Sequence, residues 1–478
     1  MNIPISLTMK IFFAVGFVAA AVIAVATYNL MRLASIAAAF KAKLLCSGVF
    51  VAKREPASLR NADMAVRDHS ILRHINTRID YSSHRITADF FGLIKRNAVF
   101  RPGLGSVLVH AAYDVPVGLA VTYPSDSRTD TPEEYFPVFV PALDWAFSEP
   151  DPARPRCTRA VVVMLDGVIV AERYAPGFDK DTPLLGWSMT KSVMNALTGI
   201  LIKNGRLTLD APLSVPEWRK ADDRRRRITL DHLLRMTSGL RFKENYRNPL
   251  ADVTNMLFGV PDMAAFASRK PLDAEPGTKW SYASGTTNIL SRVIRQCHGP
   301  AEYPSFPRTA LFRPLGMDSA VIEQDAAGTF VGSSFMYATA RDWAKFGQLY
   351  LQDGTWGGVR LLPEGWVRYT MTATPQAPDG KYGAHFWLKI PPEFQGGELN
   401  GLVPADAFHA VGHEGQLVSI IPSRKLVVVR LGLTRNSSQW HHDRFLSMVA
   451  ESADRHLAGV NSGDIHDKFC QGENGDFP

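Results

Sequence analysis

The 478-residue chain lacks most of the features that mark specialised protein classes. Its four cysteines include no Cys-x-x-Cys pair, which excludes zinc ribbons and thioredoxin-type redox motifs. It has no internal repeat of solenoid period. Charge is also balanced, with 53 basic residues against 46 acidic ones, and the dense basic run at residues 224–227 directly follows two aspartates. The composition therefore predicts a large folded protein that binds no nucleic acid.

One long apolar run stands at the N-terminus. Residues 11–27, IFFAVGFVAAAVIAVAT, contain no charged side chain. About 17 apolar residues are at the short end for a membrane span, and the same run fits a signal peptide with its cleavage site at residues 24–26. We favour an anchor, because residues 29–48 continue a helical apolar pattern that a mature N-terminus would not need.

Two signals disagree on the side of the membrane. Arg32, Lys41, Lys43, Lys53 and Arg54 follow the apolar run, and the positive-inside rule would place them in the cytoplasm. A signal-like N-terminus favours export instead. We expect an extracytoplasmic catalytic domain on the periplasmic side, either anchored in the inner membrane or secreted.

The chain divides into segments of different character. Residues 1–30 form the signal or anchor segment, and residues 31–130 show little periodicity, which predicts a linker with an ancillary segment. Residues 131–460 predict one catalytic domain, mostly helical at about 205–340, and residues 461–478 a C-terminal tail.

The order of elements in this domain predicts an α+β fold. A capping box at residues 131–134 predicts the start of a helix, and two β-branched runs around Asp166-Gly167 predict a hairpin. Helices are predicted at residues 188–204, 339–354 and 441–457, and strands at 382–390, 415–422 and 425–433. Strands from both ends of the domain then form one antiparallel sheet flanked by helices, with an all-α subdomain inserted.

A Ser-x-x-Lys motif opens the helix after the hairpin, in the sequence GWSMTK at residues 186–191. Ser188 and Lys191 are three residues apart, so the amine and the hydroxyl share one helix face. The helix N-terminus adds N–H groups and a positive dipole where an oxyanion would develop. Alone the motif is weak, because its ordinary explanation is a capping serine and a solvated lysine.

Two further patterns follow in the chain. Tyr282 and Ser284 lie in WSYASG, where alternate residues can bring a phenol and a hydroxyl to one cleft wall. GHEGQ at residues 412–416 enters a strand, and its glycines let the backbone approach a substrate. Singly, each pattern is also explained by a core aromatic or an exposed edge residue.

The order Ser-x-x-Lys, Tyr-x-Ser, His-x-Gly resembles the serine β-lactamase and penicillin-binding-protein superfamily. The variety that it resembles is the class C β-lactamase-related hydrolases, which include esterases, D-aminopeptidases and 6-aminohexanoate-dimer hydrolases. The resemblance spans residues 131–460 and implies a β-lactamase/transpeptidase-like fold. It also implies a serine hydrolase that forms an acyl-enzyme on small esters or amides, 6-aminohexanoate-oligomer-like amides and peptides among them, with no cofactor and no metal.

The resemblance implies a role for each residue of the first two motifs. Ser188 would be the acylated nucleophile and Lys191 its hydrogen-bonded partner. Tyr282 would be the general base, with a pKa lowered by neighbouring cations such as Lys191. Ser284 departs from the asparagine that is usual in the second motif.

The third motif carries the expectation about substrate. By resemblance, His413 and Gly415 would line the substrate site, and the backbone N–H groups of Ser188 and Gln416 would form the oxyanion hole. The family's lysine at position 413 is a permanent cation, whereas histidine is largely neutral at pH 7, so uncharged esters should be better substrates than penicillins. Tyr246 is a candidate cleft residue, because loops of the helical domain line the groove in this superfamily.

Other readings of the motifs stay open. An α/β-hydrolase would need Gly-x-Ser-x-Gly, but Thr190 occupies the last position. A metalloprotease would need a second histidine where Leu417 stands. A membrane-anchored penicillin-binding or peptidoglycan-sensing domain with little turnover is the non-enzymatic alternative. The spacing of residues does not set the oligomeric state.

Overall fold

The computed structural model describes residues 7–64, 70–111, 113, 133–396 and 403–470. The described helices are α1 (Leu7–Phe50), α2 (Pro56–Ser58), α3 (Val140–Phe147), α4 (Thr190–Lys203), α5 (Leu230–Leu234), α6 (Asp252–Gly259), α7 (Met263–Ser268), α8 (Ser284–Gln296), α9 (Arg313–Leu315), α10 (Ala340–Leu351), α11 (Trp366–Met371) and α12 (His442–Cys470). The described strands are β1 (Ile75–Asp80), β2 (Arg85–Phe90), β3 (Ile94–Arg101), β4 (Gly105–Leu108), β5 (Thr158–Leu165), β6 (Val168–Tyr174), β7 (Leu184–Leu185), β8 (Val321–Ile322), β9 (Met336–Ala338), β10 (Thr355–Trp356), β11 (Val359–Arg360), β12 (Phe408–Gly412), β13 (Gln416–Ile421) and β14 (Leu426–Gly432).

A five-stranded antiparallel sheet in the order β12-β13-β14-β5-β6 forms the centre of the domain. Val161 and Val163 of β5 join the core with α3 and α12, while Val162 and Met164 join the core with α10. Burial on both faces explains the unbroken apolar runs at residues 160–165 of β5 and 426–429 of β14. The predicted α+β sheet built from both ends of the domain is confirmed.

The β5–β6 hairpin turns at Asp166-Gly167, as the sequence predicts. Both residues have positive φ angles, 48° and 87°, which suit a tight hairpin turn. The hairpin leads through β7 to α4, and helices α5 to α9 follow. Turns and loops make up most of this region between short helices, and it is not all-α, because its strand β9 pairs with both β7 and β8 in a three-stranded sheet.

Residues 31–130 are predicted to be a linker with an ancillary segment, and the described part of them is folded rather than an extended linker. Strands β1 to β4 form a four-stranded antiparallel sheet that packs on the second half of α1. Fully buried Ala34 and Ala38 of α1 join the same core as Ile86 and Ala98 of the sheet. Small side chains on the helix allow this close contact, and the short strands carry too many polar residues to stand out in the sequence.

Helix α1 has two halves in different surroundings. Residues Phe12–Phe50 are long and apolar enough to cross a membrane. Residues 12–31 are exposed, although large apolar side chains such as Phe12, Phe17 and Ile23 lie among them. From Ala34 onwards the helix is mostly buried in the protein core. The helix is continuous through residues 24–26, the candidate cleavage site.

A buried ion pair joins α1 to the catalytic domain. The Lys43 ammonium contacts the Glu323 carboxylate, and both side chains are almost completely inaccessible to solvent. Ser47 Oγ and the Ser106 backbone N–H also donate to Glu323 Oε1, at 2.8 and 2.7 Å. These contacts satisfy the buried carboxylate and connect α1, β4 and the helical region.

Two predicted elements of the catalytic domain are wrong. The helix predicted from the capping box does not start there: the backbone N–H of Glu134 donates to Ile169 O at 2.8 Å, alongside β6. Residues 131–132 lie outside the described residues, and α3 begins only at Val140, because Pro137 holds the residue before it, Phe136, in an extended conformation with φ −110° and ψ 125°. At the other end of the domain, α12 extends to Cys470, into the predicted tail.

The strand predicted at residues 382–390 is the second predicted element that the structure contradicts. This segment makes isolated bridges, at Tyr382 and Trp387, rather than a continuous ladder. His385 has a φ of 58°, which breaks the extended conformation. The buried ring of His385 instead packs behind α4, as described below.

Candidate active site

Ser188 lies in a short 3₁₀ turn, Trp187–Met189, directly before α4. Trp187 has a φ of 48°, an unfavourable left-handed conformation for a bulky side chain. Its indole N–H donates to Glu414 Oε2 at 3.3 Å. Behind the turn, a Cβ on Gly412 would lie 2.2 Å from Gly186 O, so only glycine allows β12 to approach. These contacts hold the turn and its serine in one position.

Lys191 lies beside this serine on the first turn of α4 and is 1% exposed. Its Nζ donates to Ser188 Oγ at 2.9 Å, to Ser284 Oγ at 3.1 Å and to Ser333 O at 2.9 Å. Burial lowers the pKa of Lys191 to about 8, although the nearby Glu244 carboxylate opposes this. The amine therefore changes charge close to neutral pH.

Glu244 is part of this cluster, and the sequence did not indicate it. Its carboxylate accepts from Ser284 Oγ at 2.6 Å and from the Ser284 backbone N–H at 2.8 Å. Burial raises the pKa of Glu244, and Lys191 lowers it. Ser284 thus joins the carboxylate to the lysine at the N-terminus of α8. A single glutamate in the loop before α6 has no motif that would identify it.

Tyr282 lies on the other side of the lysine. Lys191 Nζ is 4.9 Å from the centroid of the Tyr282 ring, over its face. Trp387 and Tyr382 pack against the same ring, at centroid distances of 5.5 and 5.9 Å. Burial raises the pKa of Tyr282, and a hydrogen bond with Ser188 lowers it. The expected lowering by cations is therefore wrong, because the ammonium faces the ring and donates its hydrogens elsewhere.

An aromatic group forms the next part of the site. The exposed His413 ring stacks on Tyr246 with centroids 4.6 Å apart and planes at 17°. Trp187 meets the His413 ring edge to face at 5.6 Å. Burial raises the pKa of the Tyr246 phenol, which lies next to the Ser284 and Ser334 hydroxyls. Tyr246 is therefore a cleft residue rather than a surface aromatic.

The turn that carries His413 is fixed from behind. Gln416 Nε2 donates to Gly432 O at 2.7 Å and to His413 O at 3.1 Å. Gly415 has a φ of 80°, and its carbonyl accepts from the buried Arg430 at 2.8 Å. Gly415 thus packs against Arg430 and contributes to the shape of the turn rather than to the surface of the cleft.

A buried histidine supports α4 from the opposite side. His385 Nδ1 is 2.9 Å from Lys191 O, and its Nε2 is 3.2 Å from Thr287 Oγ1. Burial, with a smaller contribution from the nearby Lys191 ammonium, lowers the pKa of His385 to about 3, so the ring is neutral. No local sequence pattern indicates this role for His385, because its partners come from α4 and α8.

These residues surround a cavity of about 880 Å³. The predicted site residues that line it are Ser188, Tyr246, Tyr282, His413 and Gln416. Lys191, Ser284 and Gly415 are buried behind its wall. The cavity thus has a serine hydroxyl at its wall, a buried amine behind that hydroxyl and a phenol beside it.

The family model for Beta-lactamase matches residues 155–444, which contain all of these groups. The chain belongs to the β-lactamase family. The antiparallel sheet flanked by helices is the β-lactamase/transpeptidase-like fold, and the protein is a hydrolase of this family. Its N-terminal helix and β1 to β4 lie outside the matched range.

Several known proteins are similar to this domain. The 6-aminohexanoate-dimer hydrolase of Paenarthrobacter ureafaciens is 26% identical over 311 residues, 60% of this chain and 75% of that protein. A solved structure from Bacillus anthracis, provisionally named a 6-aminohexanoate-dimer hydrolase, has 22% identity and a TM-score of 0.50 over 64% of this chain and 80% of its own. EstCE1, a hydrolase with promiscuous acyltransferase activity, has 16% identity and a TM-score of 0.50 over 66% of this chain and 96% of its own.

Proposed function

We propose that the protein hydrolyses esters or amides through a covalent acyl intermediate on Ser188. The observation that carries this proposal is the 2.9 Å hydrogen bond from buried Lys191 to the Ser188 hydroxyl at the cavity wall. A serine is a weak nucleophile unless an adjacent group takes its proton. Membership of the β-lactamase family and the amide-hydrolase relative support the same reaction class.

Lys191 is the proposed acceptor of the serine proton. With a pKa near 8, part of the amine is neutral at physiological pH and can accept that proton as Ser188 Oγ attacks the carbonyl carbon. Tyr282, whose phenol stays protonated, donates its proton to the leaving alcohol or amine, and the proton that Lys191 took from Ser188 restores the phenol. A water molecule then attacks the acyl-serine ester and releases the carboxylic acid.

The backbone N–H groups of Ser188 and Gln416 are the proposed oxyanion donors. Ser188 directly precedes the 14-residue α4, whose dipole favours negative charge at this end. Gln416 begins β13 and lines the same cavity. The aromatic pair of His413 and Tyr246 stands where the family has a lysine, which favours substrates without a carboxylate.

We also infer that residues 12–31 anchor the protein in a membrane, with the catalytic domain on the extracytoplasmic side. Twenty helical residues span about 30 Å, the thickness of a bilayer's hydrocarbon core. The helix passes residues 24–26 without interruption and enters the protein core at Ala34. Cleavage at residues 24–26 would leave the second half of α1 in place, because the domain buries it from Ala34 onwards.

Fluorophosphonate labelling tests the nucleophile. We expect the wild-type protein to form a covalent adduct and to turn over p-nitrophenyl butyrate, and Ser188→Ala to do neither. Ser437→Ala is the matched control, because Ser437 lines the same cavity and lies in a different turn. Labelling that persists in folded Ser188→Ala would show that another residue is the nucleophile.

A further inference from the structure

The cavity at Ser188 extends along one face of α1. Leu33, Ile36, Phe40, Leu44 and Gly48 line it, and their spacing of three and four residues puts them on a single face of the helix. We call this row the α1 corridor. Fifteen residues separate its ends, which corresponds to about 22 Å. Its wall along the helix is made of apolar side chains and one glycine.

One end of the α1 corridor lies where the exposed apolar half of α1 ends. Residues 12–31 are exposed, and Arg32 Nη2 donates to Asn255 Oδ1 of α6 at 3.0 Å, where the helix enters the domain. Leu33, the next residue, is the first to line the cavity. With residues 12–31 in a bilayer, this end of the corridor lies at the membrane surface.

The opposite end of the cavity is polar. Asp63 lines it between Arg54 and Arg159, with nitrogen–oxygen distances of 2.8 and 2.7 Å. Asp63 and Arg159 also interact electrostatically with Glu414, which is hydrogen-bonded to the residue before Ser188. The wall that α1 contributes is thus apolar, whereas charged side chains line the end of the cavity that is linked to the turn of the reacting hydroxyl.

We propose that the substrate is an ester or amide of a long-chain acyl group, drawn from the membrane in which the protein is anchored. This proposal rests on the acyl-enzyme function above. The carbonyl lies at Ser188, and the hydrocarbon chain lies in the α1 corridor and points toward the bilayer. About 880 Å³ is in the upper part of the range of roughly 300–1,000 Å³ for ligand pockets, so a small polar substrate would leave the corridor unfilled.

Chain-length selectivity tests this proposal in the full chain, reconstituted in phosphatidylcholine vesicles. kcat/KM is measured for p-nitrophenyl butyrate and p-nitrophenyl dodecanoate in the wild type, Leu44→Trp and Val49→Trp. Val49 is half-buried on the same helix and is not part of the cavity lining, so it is the matched control. The partitioning of each ester into the vesicles does not depend on which variant is present. A difference between variants in the ratio of kcat/KM values therefore reports on the α1 corridor.

Leu44→Trp should lower the dodecanoate-to-butyrate ratio by at least tenfold, and Val49→Trp should leave it at the wild-type value. Each methylene group of the acyl chain that is buried in the corridor strengthens binding by roughly fourfold. The indole of Leu44→Trp would displace several of these methylene groups. Ala37→Leu is a smaller obstruction of the same cavity if Leu44→Trp does not fold. If a folded variant with an obstructed corridor still cleaves the butyrate ester and keeps the wild-type dodecanoate-to-butyrate ratio, the corridor proposal is wrong. The proposed acyl-enzyme function would stand in that case. Failure of the wild type to cleave either ester would instead overturn the proposed function.

Discussion

Burial of the Lys191 amine gives the site a titrating group close to neutral pH. If the neutral amine takes the serine proton, kcat/KM should rise with pH through the lysine pKa of about 8 and level off above it. The Glu244 carboxylate stabilises the ammonium and so raises this pKa. Glu244→Gln should therefore move the rising limb to lower pH, as measured in ester pH profiles. A limb that stays in place or moves to higher pH would contradict this assignment.

The second prediction concerns the hydroxyl group of Tyr282. Tyr282→Phe keeps the ring that packs on Trp387 and Tyr382 but removes the proton relay. Turnover of p-nitrophenyl butyrate should fall by about 10²-fold with little change in Tm. Full activity in a folded Tyr282→Phe variant would mean that Tyr282 is a packing aromatic.

Substrate charge is the subject of the third prediction. His413 is exposed beside the cavity, so His413→Lys should restore a cation that attracts a carboxylate. A hydrogen bond to a charged group contributes about 1.5 to 3 kcal/mol, so the ratio of nitrocefin to neutral-ester kcat/KM should rise about tenfold to a hundredfold. His413→Gln, which adds no charge, is the control. If the ratio in His413→Lys equals the ratio in the wild type, position 413 does not face the charged end of the substrate.

The ordered motifs predict part of the group of residues that meet at the cavity. Ser188, Lys191 and Tyr282 come together because each occupies a position fixed by a turn or a helix start. Glu244 and His385 could not be predicted. Their role depends on contacts with residues 40 and 194 positions away in the chain, and no local pattern encodes such contacts.

The buried ion pair between α1 and the catalytic domain leads to a prediction about the free energy of unfolding. Glu323→Gln keeps the shape of the buried site but leaves the Lys43 ammonium without its partner, which should cost about 3 to 5 kcal/mol. Urea unfolding in detergent measures this loss, and activity should survive in the folded fraction. The double variant Lys43→Met/Glu323→Gln should recover much of the stability. A loss below about 1 kcal/mol in Glu323→Gln would mean that water already solvates the pair.

Elements with strong local signals could be predicted and others could not. The β5–β6 hairpin follows from its Asp-Gly turn, and α10 follows from the cap at Thr339, whose hydroxyl accepts from the Asp342 backbone N–H. The sheet of β1 to β4 was missed because its polar strands gain their apolar partner from α1. The strand expected at residues 382–390 is instead bent by the packing of His385 behind α4.

At the scale of the whole molecule, one helix belongs both to the proposed anchor and to the wall of the catalytic cavity. The β-lactamase-family domain holds the reacting groups, and α1 with its sheet adds the apolar wall. The segment outside the family match therefore lines the same cavity as Ser188. Removal of residues 12–31 alone should leave labelling of Ser188 intact in detergent, and loss of labelling in a folded truncated protein would contradict this division.

The acyl-enzyme on Ser188 is the central claim, and trapping it is the most direct measurement. The full chain is mixed with p-nitrophenyl butyrate, quenched in acid within the first turnovers, digested and analysed by mass spectrometry. We expect a butyryl group on the wild-type peptide that contains Ser188 and no butyryl group on the corresponding peptide of Ser188→Ala. Rapid p-nitrophenol release by the wild type with the butyryl group on a different residue, or undiminished turnover by Ser188→Ala, would contradict it.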